Sequence, residues 1–379
     1  MIYINRPLKL NNQQTNNMSA IVHSSFVPFE DNQPSLEKDT TNVVLQFKST
    51  TENKPNLNIR HNQTIVSRSD INGGSTGPAG RENQDAYCIF VISYNKQEYK
   101  IFIVADGHGI HGKTLADTSL EIINIVLSKF GEILENELIL GDIFESFQED
   151  LTSRFSQLTS GGATITLMIE SDSFKICANL ADCSAFTFID TDPSNIIMLR
   201  DGKSINVISN ELELTEDHGP ESQSEVKRLL EMGAEIKFAT SRNGPAHDAY
   251  NVQIIDGVKT YKEFPHTVQP GAFSMNVSGK IAKYIHMDRY SFNLSGSFGD
   301  FGCPFLRRRP TITKVSYPKG TQTKLIVGSD GYFNCFTSTQ ISQQLTLDPV
   351  VICQNAYERV GATFGHSNAD NMTVIASSM

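Results

Sequence analysis

The sequence predicts an α+β layered sandwich. From Thr64 onward it is a succession of short β-rich runs bounded by Gly, Asp and Asn: YCIFVIS, YKIFIVAD, ATITLMIE, FKICANLAD, AFTFID, KLIVGSD and NMTVIAS. Most alternate in period 2 or are short continuous apolar stretches, and several are β-branched, the pattern of strands in a buried sheet. Two long amphipathic helices interrupt them. Regular strand–helix alternation is absent, which disfavours a doubly wound parallel sheet.

The elements follow in order. Residues 1–59 are rich in Asn, Gln, Ser and Thr, with only short apolar clusters such as Ala20-Ile21-Val22. Such a segment buries too little to offset its ordering entropy and is expected to be mostly disordered, with VVLQF (Val43 to Phe47) the candidate strand within it. A folded domain is expected over 60–379. Its first helix covers roughly Lys113 to Leu134, with Leu120, Ile123, Leu127, Phe130 and Leu134 at helical spacing, and the second roughly Leu140 to Leu158. A third, SQSEVKRLLEMG, opens on a serine cap and stops at Gly233. The stretch 241–289, with Gly244, Pro245, Pro265, Pro270 and Gly271, reads as an inserted hairpin and loops over one face. Asp348-Pro349 then offers a cap and a first-turn proline for a C-terminal helix.

Composition narrows the function. With 39% hydrophobic residues the chain can bury a large core, and 32 basic against 42 acidic residues give a net charge of −10 and a pI near 5.4. That balance argues against nucleic acid as a partner and suits a site that gathers divalent cations. Six scattered cysteines, Cys88, Cys177, Cys183, Cys303, Cys335 and Cys353, show no paired spacing and read as reduced thiols. No apolar leader, no stretch of about 18 apolar residues and no glycine at position 2 are present, so a cytoplasmic or nuclear protein without membrane attachment is expected.

Four aspartates share one local grammar: Asp106 in IFIVADGHG, Asp182 in CANLADCS, Asp330 in LIVGSDGYF and Asp370 in NADNMTVIA each sit at the end or start of a buried-type strand. One Asp-Gly is most simply a hairpin turn. Four rim carboxylates are costly unless paired or bound to a cation, and their repetition suggests strand ends converging on one site. Oxygen donors without a His or Cys cluster point to Mg²⁺ or Mn²⁺.

In these residues the chain resembles the metal-dependent (PPM-type) Ser/Thr protein phosphatases of class 2C. The matching pieces, in family order, are ENQDAY, VADGHGIHG, SGGATIT, ANLADCSAF, LTEDHGP, NLSGSFGD, VGSDGYF and ADNMTVI, from Glu82 to Ile375. The resemblance implies a four-layer α/β/β/α sandwich of two mostly antiparallel sheets flanked by helix pairs, with a two-metal cleft at one edge. It implies that Asp106 bridges both ions, that the Gly107 carbonyl, Asp330 and Asp370 complete the set, and that Asp182 with Asp330 forms a weaker third site. Asp85 would hold metal-bound water. Two cations about 4 Å apart lower the pKa of a bridging water and neutralise the phosphate for in-line attack, with no phosphoenzyme. His108 would act as general acid toward the leaving oxygen, its alternative being a histidine that merely bonds the loop. Thr164 and Asp300 read as loop supports, and Asp217 and His218 as anchors of a turn.

Several positions depart from the family pattern. Gln84 stands where a glutamate is common and can accept a hydrogen bond but adds no charge. Arg81, the candidate phosphate-binding arginine, lies one residue nearer to Asp85 than usual. Gly296 replaces an arginine, which hints at a reorganised flap, and ADCS replaces GDS with small-for-small changes. Arg307-Arg308-Arg309 reads as a solvated loop. The reading these residues carry is a monomeric phosphatase acting on phosphoserine and phosphothreonine proteins in signalling. Its rivals are a catalytically weak binding module and a small-molecule phosphatase.

Overall fold

The computed structural model describes residues 18–24, 64–68, 71–76, 82–158, 160–238, 247–255, 258–263, 283–287, 289–336, 338–344, 355, 358–359 and 370–379. The strand candidate Val43 to Phe47, Arg81, Cys353 and most of the expected C-terminal helix lie outside them.

The larger sheet runs, strand beside strand, Met18–Ser24, Ala86–Tyr94, Gln97–His108, Gly162–Glu170, Phe174–Leu180, Thr311–Ser316, Ile197–Arg200 and Lys203–Ile205, with Phe298–Gly299 added beside Gly162–Glu170. The second runs Glu211–Glu213, Ser184–Ile189, Thr323–Gly328, Met372–Ser378, Ile71–Thr76 and Thr64–Arg68. All pairs of named strands are antiparallel. The fold is thus mixed α+β. Within the segment expected to be mostly disordered, Met18–Ser24 forms a strand that pairs along its length with Ala86–Tyr94; its few apolar residues can join a sheet that the domain supplies.

Period-2 alternation divides the core. Cys88, Phe90, Ile101, Ile103 and Ile165 pack with Leu115, Ile122, Phe144 and Leu151 of the helices, while the intervening Tyr87, Ile89, Phe102, Val104 and Met168 pack with Ala185, Val327 and Ile375 of the second sheet. On that sheet Ile326, Met372 and Val374 cluster with Tyr332 and Ile341. The single helix expected over 113–134 is broken into Gly112–Ser119, a 3₁₀ turn Leu120–Ile122, Ile123–Ser128 and Phe130–Glu135. Thr118 and Ser119 explain the first break, because their hydroxyls bond back to the Thr114 and Leu115 carbonyls at 2.7 Å each and such bonds bend a helix. The second helix, Ile139–Phe155, is continuous.

The stretch 241–289 and its flanks form a small sheet, in which His247–Asp248 and Lys283–Met287 pair with the flanking Glu235–Phe238 and Lys283–Met287 also with Tyr290–Phe292, and a separate hairpin, Tyr250–Ile255 with Val258–Glu263. They share a core of Ile236, Phe238, Ile285 and Phe305, closed by Val226 and Leu229 of the helix Gln223–Glu231. The five described cysteines are unpaired and buried. No helix among the described residues is long and apolar enough to cross a membrane.

Candidate metal centre and active site

The register of the larger sheet places Asp106 opposite Thr164 near the end of their strands. Asp182 follows the strand Phe174–Leu180, Asp330 follows Thr323–Gly328, and Asp370 precedes Met372–Ser378. Asp106, Asp182 and Asp330 are half-buried, Asp370 is exposed and Asp85 is buried. The structure therefore brings together five of the aspartates singled out from sequence.

Their mutual field is strong. Desolvation pushes Asp85 up to about 7, the charges of Asp370 and Asp330 adding to it while hydrogen bonds from Thr373 and Ser329 pull the other way. Desolvation and then the charges of Asp182 and Asp370 push Asp330 up to about 7. Asp182 rises to about 6 through desolvation and the charge of Asp217. Asp106 lies well above the usual carboxylate range, by desolvation and then the charges of Asp85, Asp330 and Asp370. This many carboxylates held in one desolvated edge repel one another unless protons or cations neutralise them.

Among the described residues no donor reaches two buried oxygens of the set, Asp85 Oδ1 and Asp330 Oδ1. Their partner oxygens are held: Ser329 Oγ donates to Asp85 Oδ2 at 2.8 Å and Asn334 Nδ2 to Asp330 Oδ2 at 3.1 Å. Ser329 in turn accepts the Thr373 amide at 3.0 Å, so one buried hydroxyl ties the Asp85 carboxylate to the strand that Asp370 opens. Orphaned hard oxygens in a repelling carboxylate set fit a hard divalent cation. Among the described residues no three His, Cys, Asp or Glu side chains already close on one point as a ligand shell.

The DGHG loop is packed backbone on backbone. A Cβ at Gly107 would lie 2.4 Å from the Gly112 carbonyl oxygen and 2.7 Å from that of Gln84. Gln84 Nε2 donates to the Gly109 carbonyl at 2.8 Å, so its amide holds the loop. His108 Nε2 meets Asp300 Oδ2 at 2.6 Å. Burial opposes charging that ring, but the Asp300 hydrogen bond and charge, together with the charges of Asp182 and Asp330, outweigh it and raise His108 above the ordinary histidine value. Thr164 Oγ1 lies 3.1 Å from Cys183 Sγ behind Asp106.

Three sequence readings change. Ala181 sits at φ +84°, a left-handed conformation that glycine adopts freely and alanine at a cost, so the exchange beside Asp182 is more than small-for-small. The space beside Gly296 is filled by Arg307, whose Cγ would lie 3.0 Å from an added Cβ and whose guanidinium pairs with buried Glu225 at 3.0 Å. The arginine run is likewise no free loop, since Arg308 donates to the Asp300 carbonyl at 3.1 Å and Arg309 bridges Asp142 and Glu145 at 2.8 Å each. His218 is fully buried; it accepts the Ala181 amide on Nδ1 at 3.0 Å and contacts Thr311 Oγ1 through Nε2 at 2.8 Å, an anchor held neutral by burial.

Comparison with known proteins gives the context. The model of the family described as protein phosphatase 2C matches residues 82–348. The fold is similar to that of serine-threonine phosphatase 2C from Toxoplasma gondii, at 12% identity over 84% of this chain and 99% of that one, TM-score 0.50. A bacterial serine phosphatase shares 14% identity over 81% and 96% of the two chains, TM-score 0.46. A sex determining protein of C. elegans shares 17% over 83% of this chain, TM-score 0.48, and this chain spans 65% of its length. No curated protein sequence matches. With 267 consecutive residues under one family model, the chain belongs to the protein phosphatase 2C family, whose members generally depend on Mg²⁺ or Mn²⁺.

Proposed function

We propose that the chain is an active, metal-dependent protein serine/threonine phosphatase. The observation that carries this reading is the meeting of Asp85, Asp106, Asp182, Asp330 and Asp370 in one field, with two of their buried oxygens unpartnered. Asp106, Asp330, Asp370 and the Gly107 carbonyl would hold two ions, and Asp182 with Asp330 a weaker third. When bound, the ions neutralise the phosphate and make water a better nucleophile. Asp85, fixed through one oxygen by Ser329, keeps the other free to orient water. His108, two residues beyond Asp106 in the chain, would protonate the leaving serine or threonine oxygen.

The test is phosphate release from a phosphothreonine peptide in Mn²⁺, with EDTA as control. Metal-dependent release is expected. A folded protein that releases none from the peptide but acts on a sugar phosphate is a small-molecule phosphatase, and one that acts on neither is a binding module.

Metal binding is also visible without turnover. Asp85 and Asp330, raised to about 7 in the folded chain from an ordinary 3.8, keep protons that the unfolded chain has already released. Stability of the metal-free protein therefore falls as pH rises from about 4 to 7. Mn²⁺ replaces those protons, so the melting-temperature gap between Mn²⁺ and EDTA should widen over that range. It should reach roughly 5–10 °C when Mn²⁺ is in large excess over its Kd. A gap that is absent or independent of pH would place the ions elsewhere.

A further inference from the structure

We infer that Asp300 is a positioning residue for His108: it holds the ring by Nε2 and so leaves Nδ1 as the atom that protonates the leaving oxygen. The inference rests on the phosphatase reading above.

The contact is short, 2.6 Å from His108 Nε2 to Asp300 Oδ2, in the range of charge-assisted bonds. Asp300 is itself locked. Its backbone takes φ +41°, its amide donates to the Gly161 carbonyl at 2.9 Å, and its carbonyl accepts Arg308 Nη2 at 3.1 Å. Ser297 Oγ donates to the same Oδ2 at 2.8 Å. A left-handed non-glycine residue held on every side is strain that the surroundings over-determine, as is common where a group must be aimed. Gly162 leaves the room, since a Cβ there would lie 2.2 Å from Asp300 Oδ2 and 2.7 Å from His108 Nε2. The ring plane is set by Phe292, edge-on with centroids 6.3 Å apart, itself edge-on to Phe305 at 5.9 Å.

With Nε2 engaged, one ring nitrogen remains. As the P–O bond to the seryl or threonyl oxygen breaks, its electron pair goes to that oxygen and the Nδ1 proton of the imidazolium joins it to form the alcohol. Water supplies the oxygen that bonds to phosphorus and a proton that replaces the one given up. The neutral ring keeps Nε2–H on Asp300, so it returns to the same tautomer each cycle. An alkoxide leaves poorly without that proton, whereas p-nitrophenolate leaves without help.

Asp300→Asn keeps the shape and tolerates the left-handed backbone. In Mn²⁺ its kcat on a phosphothreonine peptide should fall on the order of 10²-fold, while p-nitrophenyl phosphate changes by less than about threefold. The Asp300→Asn, His108→Gln double variant should be no slower on the peptide than His108→Gln alone. Ser297→Ala, which removes one donor to Asp300 and leaves its backbone untouched, should give a selective loss of roughly three- to tenfold, and this decides the matter if Asp300→Asn does not fold. Equal losses on both esters, an unchanged peptide rate, or multiplying losses in the double variant would overturn the inference. If wild type is active on both esters and the variant loses both in proportion, only this inference fails; a wild type active on neither removes the phosphatase reading with it.

Discussion

Asp330→Asn is expected to lower Mn²⁺-dependent phosphate release roughly 10²- to 10³-fold while leaving the metal-free protein at least as stable as wild type. The first half follows from charge. Asp330 presents a buried oxygen with no donor, beside Asp106 and within the field of Asp182 and Asp370. Asparagine keeps the volume and the carbonyl oxygen but removes the negative charge that an ion would meet. Losing about 3–4 kcal/mol of charge stabilisation corresponds to that range of rates. The second half follows from repulsion. Desolvation and the neighbouring carboxylates hold Asp330 at about 7 in the folded chain, against an ordinary 3.8. Its ionisation above pH 7 therefore opposes folding, and a neutral side chain does not. Melting in EDTA at pH 8 should be unchanged or higher, and calorimetric titration should show weakened Mn²⁺ binding. A variant that melts early would make Asp330 a structural residue, and one that keeps its rate would remove it from the metal set.

How far the site could be read in the sequence depended on sequence distance. The aspartates were legible because each ends or opens a strand whose apolar run marks it locally, and the two sheets follow from the same alternation that sorts Phe102 from Ile103. The supporting contacts were not legible. His108 and Asp300 are 192 residues apart, and Asp85 and Ser329 are 244 apart, so no spacing rule joins them. Asp300 read as a loop support, and Ser329 carried no signal beyond standing before Asp330. The arginine run misled for a related reason: three adjacent cations look like a solvated patch, yet their acceptors, Glu225, the Asp300 carbonyl, Asp142 and Glu145, come from distant helices and a loop. Ala181 is a backbone case, since its positive φ leaves no trace in residue type.

The strands that carry the carboxylates at one end hold a buried ion pair near the other, and its removal is the second large effect expected. In the register that sets Asp106 against Thr164, Lys100 faces Glu170 and Glu170 faces Lys175. Six residues along a strand is about 20 Å. Lys175 and Glu170 are both fully buried and pair directly. Lys175 also donates to Thr323 Oγ1 at 2.9 Å, and Glu170 accepts Ser377 Oγ at 2.6 Å, so the pair bolts the first sheet to the second. Glu170→Gln removes the counter-charge that buried Lys175 and, at 3.9 Å, buried Lys100 both face, and leaves the Lys175 ammonium with neutral partners such as Thr323 Oγ1 and the Tyr317 ring, 5.6 Å from its centroid. An uncompensated buried charge of this kind costs about 3–5 kcal/mol, to be read by urea denaturation. Burial already lowers Lys175 below the ordinary lysine value against the opposing pull of Glu170, and without Glu170 it falls further. The folded variant then binds fewer protons than the unfolded chain, so its stability rises with pH, and the deficit should shrink as pH is raised toward the ordinary lysine range. Adding Lys175→Met removes one of the two charges that faced Glu170, Lys100 being the other, and should recover part of the loss at pH 6. The metal dependence of the folded fraction should not move, because the carboxylate edge lies at the far end of the same strands. A deficit that stays constant with pH, or is not relieved by Lys175→Met, would mean that packing at position 170, and not the ion pair, holds the two sheets together there.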